Sequence, residues 1–181
     1  MLNLAGLVVA ASMVVGQADS VPEGEDLLKQ FGDAMVGNWE SKDVAKEDFL
    51  DIVKKGDTVE GKATIRWICK KKALSVNWSY SNGKRTDQGR TLIAWDAKLG
   101  AIREFGVSTL GGFGKTTTTM KDGKWVSKMT VVLSNDAQIS SVSTLTIADD
   151  GNTHIHETTE RKGPDGNSLP NQTQTWKRVK D

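Results

Sequence analysis

The chain is poor in the residues that most often carry crosslinks or chemistry. It has one cysteine, Cys69, so no intramolecular disulfide can form and the core must hold the fold. Cys69 follows Trp67 at strand spacing and has no partner residues around it. It reads as a small buried hydrophobe rather than a nucleophile. An excess of one charge is also missing: 24 Lys and Arg stand against 23 Asp and Glu, a net +1. A nearly neutral chain has no electrostatic footprint for nucleic acid. The run Lys70-Lys71-Lys72 sits where two strands meet and reads as a solvated hairpin tip. No Gly-x-Ser-x-Gly is present, so a nucleophile elbow is unsupported. Gly111-Gly112-Phe113-Gly114-Lys115-Thr116 looks like a phosphate loop, but Thr109 stands where the leading glycine is needed. Thr116–Thr119 also favours strand over the required helix. That segment reads as a glycine-rich hairpin followed by an edge strand, and no cofactor is expected.

Long apolar runs are scarce as well. Leu2 to Gly16 is apolar but short for a bilayer-spanning helix, which needs about 20 residues. Gly16-Gln17-Ala18 places small residues at the positions a signal peptidase reads, so residues 1–18 are expected to be a signal peptide cleaved after Ala18. This predicts a secreted or periplasmic protein with no transmembrane anchor after cleavage. No cysteine lies near the cleavage site, which argues against a lipoprotein. About 160 residues then remain, a size that one domain fills.

What the chain does have is β-structure with turn punctuation. Ser-Asn-Gly-Lys (81–84), Asp-Ala-Lys-Leu-Gly (96–100), Lys-Asp-Gly-Lys (121–124), Asp-Asp-Gly-Asn (149–152) and Gly-Pro-Asp-Gly-Asn (163–167) recur between short strand-like segments. Asn-Gly and Asp-Gly supply the positive φ that tight hairpins need. The regular spacing predicts an all-β fold, an antiparallel up-and-down meander of about 8–10 strands closing into a barrel.

Residues 19–35 form an N-terminal segment with a short helix, Glu25 to Met35, and residues 36–181 a single barrel domain. Leu27, Leu28, Phe31 and Met35 fall on one helical face, and the acidic start suits the helix dipole. Val36–Glu40 is the first strand. A lysine-rich connection from Asp43 to Gly56 follows, with a turn of helix at Glu47–Val53. In Asp57–Cys69 the apolar set Val59, Gly61, Ala63, Ile65, Trp67 and Cys69 alternates with Glu60, Lys62, Thr64 and Arg66. Leu74, Val76, Trp78 and Tyr80 form the next buried set. Thr91–Trp95 buries either Ile93 and Trp95 or Leu92 and Ala94. Trp125, Met129, Val131 and Leu133 follow, with Ser127 between them.

The tryptophans sit in different strands. If they point inward, they line one interior, and a barrel of about eight strands is just wide enough to be filled or to hold one small ligand. Trp67, Trp78, Trp95 and Trp125 are therefore candidate ligand-binding residues, with a small apolar or amphipathic molecule as the expected partner. Ala101–Val107 carries an ionisable group on either face. Arg103 alternates with Phe105 and Val107, and Glu104 with Ile102 and Gly106. The Arg103 face is the more apolar, so Arg103 and Phe105 join the candidate ligand wall, Arg103 as a bidentate anchor for a carboxylate.

No metal is expected as the first reading. The alternative is a site at His154, His156 and Glu160, which share one face of a strand. That His-x-His-x3-Glu string resembles the first metal motif of the cupins, and the resemblance implies a divalent metal and a small-barrel enzyme. A third histidine for the later motif is absent. The bland alternative is a polar outer face with Ile155 inward.

Gly37-Asn38-Trp39, directly after a short helix, resembles the first-strand Gly-x-Trp of the lipocalin-like (calycin) barrels. The resemblance implies that Trp39 packs at the closed end of a lipocalin-like barrel, covered by a basic residue of the last strand, Arg178 or Lys177, with cation–π character. The Leu92–Asp96 region is similar to a group of secreted bacterial barrel proteins of this size. A binding protein is the leading expectation. The metal-dependent enzyme and an envelope protein with a filled core are the alternatives.

Overall fold

The computed structural model describes residues 24–48 and 53–180. The expected signal peptide and part of the expected helical turn at Glu47–Val53 lie outside these residues. Helix α1 spans Glu25–Met35. Its apolar spacing places Leu27, Leu28, Phe31 and Met35 in the core, and Glu25 and Asp26 occupy its first turn. Ten strands follow: β1 Gly37–Val44, β2 Thr58–Ile68, β3 Ala73–Ser81, β4 Thr86–Asp96, β5 Ala101–Ser108, β6 Phe113–Lys121, β7 Lys124–Val132, β8 Gln138–Ile147, β9 Thr153–Lys162 and β10 Gln172–Val179. Each pairs antiparallel with its sequence neighbour, and β1 pairs with β10 to close the barrel.

The turns fall at the punctuation. Asp122 and Gly123 take φ of 50° and 72° between β6 and β7, the two-residue geometry that matches strand twist. The β2–β3 turn is different. Cys69, Lys70 and Lys71 all adopt positive φ (49°, 54° and 64°) without a glycine to relieve the Cβ crowding. Strand β2 therefore ends at Ile68, and Cys69 is exposed, which corrects the expectation that it is buried. The expected edge strand is also corrected: β6 pairs with both β5 and β7, because a closed barrel has no edges.

One end of the barrel is filled. Helix α1 contributes four residues to a core with Trp39, Ile65, Leu74, Ile93, Ile102, Trp125, Leu145 and Trp176. Phe31 meets Trp125 edge to face at 5.1 Å. Trp67 lies so close to Gly32 that a Cβ there would overlap its ring. Lys72 pairs with Glu25, tying the β2–β3 turn to the start of the helix.

The seal is completed at Trp39, which donates its indole N–H to the carbonyl of Met35 at 2.7 Å. Arg178 lies opposite Trp39 in the β1–β10 register, with its guanidinium 4.3 Å from the ring centroid. It also donates to the carbonyls of Val36 and Ala34. Gly37, at φ 149°, leaves no room for a side chain beneath this arginine. Arg178, and not Lys177, is thus the covering residue, since the alternation that turns Trp39 inward does the same for its register partner.

Candidate functional site

The opposite end is open. Strand β1 runs from Trp39 at the helix-capped end towards Asp43, and β3 from Leu74 towards Tyr80. These inward positions lead from the core into a cavity of about 340 Å³ lined by Asp43, Val59, Tyr80, Met129, Gln172 and Gln174, among others. The cavity is at the lower end of the range for small-molecule pockets. Inward-facing Tyr80, Thr116, Met129, Thr158 and Gln174 are half-buried rather than buried, so the interior is packed at the helix end and roomy at the other.

The wall is apolar below and hydrogen-bonded above. Tyr80 packs between Trp78, whose ring is tilted against it, and Trp176, which meets it edge to face, with ring centroids 5.9 Å away in each case. Its hydroxyl donates to Gln174 Oε1 at 3.4 Å, and burial pushes its pKa up to about 12. Gln174 Nε2 donates to Ser41 at 3.1 Å. Asp43 Oδ2 is buried with no close hydrogen-bond partner, and burial raises the Asp43 carboxyl above its ordinary range against the opposing pull of Gln174 and Lys46. Across the mouth, Arg161 pairs with Glu47 at 2.5 Å.

A β-bulge puts Arg161 there. In the β8–β9 ladder Thr159 pairs with Val142 but Lys162 with Ser140. Glu160 and Arg161 thus share the space opposite Ser141. Glu160 takes φ 48° and is exposed, and the alternation resumes one residue out of step, as bulges do.

This overturns the geometry of the alternative metal site. His154 and His156 face the interior, opposite Trp176 and Gln174, while Glu160 does not join them. Among the described residues no three His, Cys, Asp or Glu side chains converge to hold a metal. The histidines bond each other, Nδ1 of His154 to Nε2 of His156 at 3.0 Å. Trp39 abuts His154 at 4.2 Å between ring centroids. Burial first, then the nearby His156 and Arg178, push the His154 pKa down to about 3, and burial pushes His156 down to about 4. Both imidazoles are neutral. The bland reading fails too, because Ile155 takes the outer side.

The β5 face is the reverse of the expected one. Glu104 pairs with Ile93 and Thr116 and points inward, where Thr118 donates to it at 3.0 Å and burial raises its pKa. Arg103 and Phe105 lie on the outer wall, with the guanidinium 5.3 Å from the phenyl centroid. Ile102 must face the core, where it is fully buried, and alternation then turns Arg103 and Phe105 out. The tryptophans divide. Trp67, Trp95 and Trp125 belong to or pack on the helix-end core. Trp78 also turns inward, donating its N–H to Thr91 at 3.2 Å, but none of these four tryptophans is among the residues that line the cavity, which corrects the expected ligand wall.

The alternation of β2, β3 and β7 already put Val59, Tyr80 and Met129 inward, so their lining role was within reach of the sequence. Gln174 follows from its spacing to Trp176. Asp43 needed β1 to run past Glu40, and Arg161 needed the bulge. No protein-family model matches the chain, and no curated protein is found to match it.

Proposed function

We propose that this protein is a lipocalin-like binding protein that holds one small amphipathic molecule in the open half of its barrel. The observation that carries this reading is the cavity of about 340 Å³ reaching down to Tyr80 and Met129. Val59, Met129 and the Tyr80 ring would cover the apolar part of the ligand. The polar end would lie at the mouth, where the Asp43 carboxyl lines the cavity and would accept a hydrogen bond from a donor on the ligand. The Trp39–Arg178 seal supports kinship with the lipocalin-like barrels. The apolar Leu2–Gly16 segment supports export to a secreted or periplasmic location. The reading involves no metal or cofactor. A filled-core envelope protein is disfavoured by the cavity, and no feature of the described residues favours the enzyme alternative.

Native mass spectrometry tests it, with twelve-carbon chains ending in an amine, a hydroxyl or a carboxylate as probes. One amine- or alcohol-headed probe is expected to bind per chain. Met129→Trp, which fills the cavity, is expected to weaken binding at least about ten-fold, the scale of a lost apolar contact surface. Asp43→Ala is expected to cost the donor-headed probes about as much and the carboxylate probe little. Absence of binding by every probe, or undiminished binding to Met129→Trp, would sink the proposal.

A further inference from the structure

The outer wall carries a second surface. Leu92, Phe105, Val107 and Phe113 are 49%, 45%, 56% and 46% exposed although all four are large and apolar. The ladder makes them neighbours: Leu92 lies opposite Phe105, and Val107 opposite Phe113. The Phe105 and Phe113 rings are 6.3 Å apart. They form one apolar ridge across β4, β5 and β6. Single exposed hydrophobes are ordinary, but a contiguous group on one wall marks an interaction site.

The charges flanking the ridge are cationic, except for Asp96, which pairs with Arg103 at one end. Arg90 is opposite Val107 and Lys115 opposite Phe105, Arg103 stacks beside Phe105, and Lys128 faces Thr117 on the far flank. The acidic residues of β4 and β5 are placed elsewhere. Asp87 and Glu104 take inward register positions, opposite Tyr80 and Ile93, and Asp96 lies at the helix-capped end of β4, 3.9 Å from Arg103. A chain of net charge +1 has therefore gathered cations around its most apolar outer wall.

We propose that this wall docks on an anionic lipid surface. A convex barrel wall meets a plane along a ridge, and here the apolar residues occupy the ridge. Cations lie on the flanks, where long side chains can lie along the wall and reach phosphate headgroups. Apolar burial plus attraction to anionic lipid is what drives interfacial binding. A second copy of this chain is a poor occupant, because it would bring like charges together. The ridge also runs to the open end of the barrel: Leu110, in the turn after β5, lines the cavity mouth. Docking would set that mouth beside the lipid, but the inference does not depend on any ligand.

The test is co-sedimentation of the full chain with vesicles of phosphatidylcholine alone or of an equal mixture with phosphatidylglycerol. Binding to the mixed vesicles only, weakened by added salt, is expected. Phe105→Ser with Phe113→Ser, and separately Lys115→Glu with Lys128→Glu, are each expected to lower the partition coefficient on the order of ten-fold. All four side chains are exposed, so circular dichroism and the melting temperature are expected to show folded variants. No binding to the mixed vesicles, or equal binding to both kinds, overturns the proposal. So does binding that survives both pairs of substitutions, as attachment through another segment would. Equal binding to polyglutamate that survives loss of the phenylalanines would assign the wall to an acidic polypeptide and overturn it too.

Discussion

At the scale of single residues, the buried histidines have a consequence in solution. His154 and His156 have pKa values of about 3 and about 4 in the fold, against about 6.5 in the unfolded chain. Below pH 6.5 the unfolded chain takes up protons that the folded chain refuses, so stability falls as pH drops from about 6.5 towards the folded values. Each histidine contributes about 2 kcal/mol of loss between pH 6.5 and 5. Glu104 and Asp43 act in the opposite sense. Their raised carboxyls keep protons that the unfolded chain releases, so their contribution to stability falls as pH rises above the ordinary carboxylate range. Urea unfolding at pH 7 and at pH 5 measures the balance. His156→Gln is expected to lower stability at pH 7, since it breaks the pair with His154, and to shrink the loss between the two pH values by about 2 kcal/mol. An unchanged loss would mean that the imidazoles are solvated.

At the scale of elements, the sealing helix shows which of two opposed effects wins. Alanine in place of an interior helical glycine gains up to about 1 kcal/mol in propensity. At Gly32 the added Cβ would overlap the Trp67 ring, and overpacking of that kind costs about 1–3 kcal/mol. Gly32→Ala is therefore expected to be net destabilising by about 1 kcal/mol, read as a lowered urea midpoint. Net stabilisation would show that the helix can lift away from the barrel. The amphipathic spacing of Leu27, Leu28, Phe31 and Met35 made this helix and its buried face legible in the sequence. That Gly32 is the seat of Trp67 was not legible, because it depends on how a β2 side chain crosses the barrel floor.

At the scale of the molecule, closure is the decisive contact. Pairing of β1 with β10 joins Trp39 to Arg178 across most of the chain, and it removes both edges at once. A chain ending after Asn171 would turn β1 and β9 into open edges and strip Trp39 of its guanidinium cover. It is expected to elute as aggregates on size-exclusion chromatography, and a soluble monomer with unchanged melting would show that the seal is dispensable.

Turn chemistry and period-two alternation determined the antiparallel meander, the helix ahead of it and the inward faces of β2, β3 and β7. These follow from interactions between residues close in sequence or two apart on a strand. Tertiary structure alone decided the rest. Arg103 and Glu104 are adjacent, and either could face inward by local rules; the burial of Ile102 against the core selected Glu104. His154, His156 and Glu160 share a face only in a regular strand, and the extra residue opposite Ser141 separates them. That the tryptophans gather towards the helix-capped floor and leave the cavity to Val59, Tyr80 and Met129 depends on where helix α1 plugs a closed barrel. That is a property of the ring of ten strands, and no one of them carries it.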